Sequence, residues 1–146
     1  MRRLTWLSLV ILTVGCSTIP PQQGTDNAEI LLAAPESQVR AAVIQVLVEG
    51  GYPIQQGDGK GPVVRTGYRE EMDSPVDALH RSRFGKGRSR VEVTIVPESD
   101  TSTRLTIQVA YEGKDSLFAS WQPYVPTLPH SAANQIRLIK NALGLL

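Results

Sequence analysis

The segments Arg90-Val-Glu-Val-Thr-Ile-Val96 and Arg104-Leu-Thr-Ile-Gln-Val-Ala-Tyr111 decide the fold. In the first, Val91, Val93 and Ile95 alternate with Arg90, Glu92 and Thr94; in the second, Leu105, Ile107, Val109 and Tyr111 alternate with Arg104, Thr106 and Gln108. Successive side chains of a strand point to opposite faces, so each segment has one dry face and one wet face. Between them, Pro97-Glu-Ser-Asp-Thr-Ser102 has the composition of a hairpin loop, and antiparallel pairing follows.

The remaining elements extend outward from this hairpin. Glu29 to Ala33 reads as a short strand. Pro35 stands where a first helical residue belongs, and Val39, Ala42, Val43, Val46 and Leu47 recur at helical spacing until Gly50-Gly51 ends the pattern. Ile54 to Gln56 is a weak strand and Gly57-Asp-Gly-Lys-Gly-Pro62 a turn. Val63 to Glu70 is a further strand, with Val64, Thr66 and Tyr68 expected on one face. Ser131 is the expected N-cap of a last helix whose apolar side carries Ile136, Ile139, Leu143 and Leu146. The order β-α-β-β-β-β-α predicts an α+β, helix-grip-like domain: an antiparallel sheet with two amphipathic helices on its dry face.

The chain of 146 residues is 41% hydrophobic and 20% charged, with a formal net charge of +1, which gives no global basic excess for nucleic-acid binding. Its one cysteine excludes a disulfide framework within the chain and any zinc site built on paired thiolates. That cysteine follows Arg2 and Arg3, the apolar run Leu4 to Val14, and Gly15. Such a run is too short for a transmembrane helix, which needs roughly 17 to 25 residues, and fits a cleaved signal. Leu12-Thr13-Val14-Gly15-Cys16 resembles a bacterial lipobox, so Cys16 is the expected lipid-attachment site. Its sulfur would form the thioether to diacylglycerol. Two or three acyl chains, at about 0.8 kcal/mol per buried methylene, hold stably where one is marginal. Ser17 after the cysteine implies sorting to the periplasmic face of the outer membrane, by resemblance to Gram-negative lipoproteins. The expected organisation is a signal peptide over 1–15, a lipidated cysteine and flexible tether over 16–27, and one domain over 28–146. Removing Arg2 and Arg3 with the signal leaves a mature net charge of −1.

Motifs for chemistry are sparse. His80 and His130 lie fifty positions apart without a carboxylate or thiol at ligand spacing, and the glycines at 57, 59 and 61 lack the strand, helix and Lys-Ser/Thr of a phosphate loop. No reaction class, cofactor or metal is expected. Two segments stand out as contact candidates. His80-Arg-Ser-Arg-Phe-Gly-Lys-Gly-Arg-Ser-Arg90 places Arg81, Arg83, Lys86, Arg88 and Arg90 around Phe84 with no acid, a pattern suited to anionic lipid headgroups or an acidic partner. Leu117 to Leu128 holds Phe118, Trp121 and Tyr124, an aromatic group suited to protein contact if exposed.

The lipobox, the polar tether, the spacing Gly61, Val64, Thr66 and Tyr68, the run Arg81-Ser-Arg83-Phe84 and the Thr103-Arg-Leu-Thr-Ile strand together resemble the BamC family, lipoprotein subunits of the β-barrel assembly machinery. The likeness covers roughly residues 35 to 143, one domain where that family carries two. It implies a non-enzymatic, outer-membrane-anchored accessory module with an envelope protein as partner. The alternative is a lipoprotein whose sheet and long helix enclose a lipid or other small apolar ligand.

Overall fold

A computed structural model describes residues 24–55, 61–70, 86–114, 118–124 and 131–146, the Lys86 side chain excepted. In chain order these form β1 (Thr25–Leu32), α1 (Glu36–Glu49), β2 (Val63–Arg65), β3 (Arg69–Glu70), β4 (Lys86–Ser99), β5 (Ser102–Lys114), β6 (Gln122–Tyr124) and α2 (Ala132–Ala142). The architecture is α+β and helix-grip-like: one antiparallel sheet with both helices on a single face.

The sheet runs β1-β5-β4-β2. β3 continues past β2 along β4, and β6 continues past β1 along β5. Its centre is the expected hairpin, longer at both ends than the alternation indicated, pairing from Lys86↔Lys114 to Ser99↔Ser102. The stretch expected as a six-residue loop is therefore mostly strand, and only Asp100 and Thr101 turn. Pro97 is tolerated there because β2 pairs only with residues 92–94 of β4, so little ladder is lost by a missing N–H.

The dry face is one core. Val91, Val93, Ile95, Leu105, Ile107 and Val109 from the hairpin meet Val39, Val43 and Leu47 of α1 and Ile139 of α2, all fully buried. Burying each such side chain stabilises by roughly 1.5–3 kcal/mol. Two hydroxyls inside this layer have partners: Thr103 Oγ1 donates to the Ala34 carbonyl at 2.8 Å, and Thr66 Oγ1 accepts from the Val91 N–H at 2.9 Å.

Both helices end on a glycine in the left-handed region. Gly51 (φ 77°) lets Tyr52 N–H reach the Leu47 carbonyl at 2.9 Å, and Gly144 (φ 68°) lets Leu145 N–H reach the Lys140 carbonyl at 2.9 Å. α2 starts at the expected cap: Ser131 Oγ accepts from Asn134 N–H, and the Asp26 carboxylate accepts from Ala132 N–H at 2.7 Å, tying the helix to β1.

Several boundaries differ from the expectation. β1 begins at Thr25, inside the stretch assigned to the tether, because main-chain pairing to β5 holds Thr25, Asp26 and Asn27 despite their polarity. Pro35 is the N-cap of α1, with extended ψ, and Glu36 is the first helical residue. Of the strand expected over Ile54 to Gln56, Ile54 forms an isolated bridge to Thr66, and Gln56 lies outside the described residues. Leu146 lies beyond α2 and is exposed.

The strand expected over Val63 to Glu70 is broken. Pairing advances by one residue between Arg65↔Glu92 and Arg69↔Ser89. One extra residue sends the next side chains to the other face. Val64 and Thr66 face the core, whereas Tyr68 crosses to the wet face.

Candidate functional site

The wet face of β4 and β5 carries Arg88, Arg90, Glu92, Gln108, Glu112 and Lys114. Where β3 and β6 flank the hairpin, these side chains form a network. Arg88 Nε donates to Glu112 Oε2 at 2.8 Å and its Nη2 lies 2.6 Å from the same oxygen, while Tyr68 Oη donates to Glu112 Oε1 at 2.8 Å. The Arg88 guanidinium stands 4.0 Å from the ring centre of Tyr68 and 4.0 Å from that of Trp121. Lys114 Nζ lies 5.0 Å from the Trp121 ring and the Arg90 guanidinium 5.3 Å from the Tyr68 ring. Cation–ring contacts of this kind are worth about 0.5–1 kcal/mol at exposed sites.

The electrostatics follow from these partners. Desolvation opposes the charged form of Glu112, but the hydrogen bonds from Tyr68 and Arg88 and the charges of Arg88 and Arg90 outweigh it and hold the carboxyl below the usual range. Burial, followed by the hydrogen bond to Glu112, raises the Tyr68 hydroxyl. Glu112 is thus held as an anion and Tyr68 as a donor, an arrangement that orders β3, β4, β5 and the approach to β6.

Toward the middle of the same face, small Ala110 leaves a shallow depression of about 290 Å³ among Arg65, Arg90, Glu92 and Gln108. Arg65 is paired with Glu92 at 3.0 Å.

The sequence-predicted contact residues are distributed unevenly. Arg88 and Trp121 come together although thirty-three positions separate them. Lys86 opens β4. Phe118 is 100% exposed. Tyr124 is built into β6 opposite Tyr111, so the aromatic segment is partly a strand rather than one exposed cluster. Cys16, Arg81, Arg83, Phe84, His80 and His130 lie outside the described residues. Tyr68 and Glu112 were missed as site residues. Arg88 comes to stand opposite Glu112 through the register shift between Pro97 and Ser99, which apolar alternation alone does not fix.

Among the described residues no group of three His, Cys, Asp or Glu side chains is placed to hold a metal, and no helix is long and apolar enough to cross a membrane.

No family model matches the chain, and no curated protein matches it significantly. Solved structures with a similar course of chain include norcoclaurine synthase from Thalictrum flavum, at 10% identity and TM-score 0.39, covering 98% of this chain and 94% of that one. A START superfamily protein from Mycobacterium smegmatis is similar at 11% identity and TM-score 0.37, covering 82% of this chain and 93% of that one. Likeness at this level says nothing of what the chain binds or does.

Proposed function

We propose that this protein is a non-enzymatic lipoprotein, anchored through Cys16 to the periplasmic face of the outer membrane, that offers the wet face of its sheet to an envelope protein during outer-membrane protein assembly. The observation that carries the reading is the division of labour between the two faces. The dry face is filled by α1 and α2, whereas the wet face presents exposed Arg90 and Gln108 at the centre of β4 and β5 around a shallow depression. Polar side chains on rigid central strands suit an interaction surface whose specificity comes from charge matching. The lipobox and the resemblance to BamC supply the compartment and the class of partner. Among the described residues the buried side chains of both helices and the hairpin form one contiguous cluster, which lends the apolar-ligand alternative no support.

Photo-crosslinking tests this. A photoreactive residue at Gln108, introduced in the full-length chain in living cells, should give an adduct with a subunit of the β-barrel assembly machinery or with a barrel protein in assembly. The same residue at Ser37, on the solvent side of α1, should give none. An unmodified Gln108 variant, or equal adducts from both positions, would defeat the proposal.

A further inference from the structure

The polypeptide enters the domain at a defined end of the sheet. β1 pairs with β5 from Leu32↔Thr103 to Thr25↔Ala110, so the chain preceding Thr25 approaches from the end at which β6 and the start of β4 lie. Gly24 marks that entry: its carbonyl accepts from Tyr111 N–H at 3.1 Å, and a Cβ on it would stand 2.3 Å from the Tyr124 nitrogen. Eight peptide steps separate Cys16 from Gly24, a reach of at most about 28 Å fully extended and roughly 16 Å as a relaxed coil. β4, by contrast, runs about 40 Å to the turn at the far end. A lipid on Cys16 would therefore keep the β6 end within that reach of the bilayer, closer than the Asp100 turn.

The held end has the chemistry of an interfacial surface. Phe118 is fully exposed and is the only aromatic among the exposed large apolar side chains of the described residues. Trp121, partly buried, lies three positions on, its ring beside Arg88 and Lys114. Among the described residues the cations Arg69, Arg88, Arg90 and Lys114 outnumber the acids Asp26, Glu70 and Glu112 here, while the far turn carries Asp100 and Glu98, the latter paired with Arg104. Amphipathic rings with adjacent cations settle at the headgroup level of anionic bilayers.

We infer that this end of the domain docks on the membrane surface, with Phe118 and Trp121 at the headgroup boundary and Lys114 toward anionic lipid, so that the wet face stands upright beside the bilayer. The inference rests on the lipid-anchor reading of Cys16. Trp121 provides the probe, because Trp6 lies in the segment read as cleaved and no other tryptophan is present. The full lipoprotein, reconstituted in vesicles of phosphatidylethanolamine and phosphatidylglycerol with brominated acyl chains, is followed by flotation and by Trp121 emission. Wild type should float and be quenched, and Phe118→Ser should float while its quenching falls to less than about half, through loss of the apolar anchor. A floating protein with unquenched Trp121, or equal quenching in Phe118→Ser, would overturn the docking and leave the anchor standing. A protein that does not float would overturn the anchor, and the docking with it.

Discussion

Glu112 is the residue on which the network at the β6 end converges. Both carboxylate oxygens are used, one by Tyr68 and one by Arg88, and its ionised form is favoured in the folded chain. A carboxyl with a lowered folded pKa contributes stability above its unfolded value, about 4.3, and that contribution is lost as pH falls through the folded value. The wild-type protein should lose stability in urea titrations as pH is lowered through this window. Glu112→Gln should start about 1 kcal/mol lower at neutral pH and lose less on acidification. Equal acid sensitivity of the two proteins would show that the pairing does not contribute. Trp121 depends on the same network through Arg88, so its near-ultraviolet dichroism should weaken in Glu112→Gln under native conditions.

At the scale of elements, two short strands complete the sheet end to end, and their junctions are where substitution should tell most. Gly24 lies against the backbone of Tyr124, where β1 gives way to β6 along the same edge of β5. Gly24→Ala forces backbone apart rather than a flexible side-chain tip, and should destabilise by about 1–3 kcal/mol. Hydrogen exchange should then rise at Tyr111, whose N–H bonds the Gly24 carbonyl; unchanged protection and unchanged stability would contradict this account of the junction. The central hairpin and α1 were legible in the sequence because each is a periodic pattern long enough to repeat, and the start of α2 because Ser131 is a capping residue. The apolar stripe of α2 holds at Ile136 and Ile139, whereas Leu143 caps the helix and Leu146 lies exposed beyond it. β6 was not, since Gln122-Pro-Tyr has no alternation and its proline argues against a strand. It forms because β5 offers an unpaired edge beyond β1, and an edge strand tolerates proline. The crossing of Tyr68 to the wet face was equally hidden. It depends on one extra residue in the β2–β3 segment relative to β4, a property of pairing between segments rather than of either alone. The Arg88–Glu112 pair was hidden for a similar reason, since the register that sets the two residues opposite each other turns on the shift between Pro97 and Ser99.

For the whole molecule, the sheet separates two tasks. Its dry face is the source of stability, joined to both helices in one core, and its wet face carries charge, a depression and the network around Arg88. Gly24 and the start of β1 lie at the end that also bears Phe118 and Trp121, so anchorage and orientation are coupled in the proposed arrangement. Every proposed functional step, from compartment to partner to the resting of the β6 end on lipid, begins with the thioether proposed at Cys16. The most direct test is metabolic labelling with fatty acid in a bacterium that processes lipoproteins, followed by mass determination of the mature amino terminus. Wild type should incorporate label and begin at a diacylglyceryl-modified Cys16, whereas Cys16→Ser should incorporate none. Label in both proteins, or an unmodified Cys16 in the wild type, would contradict the account.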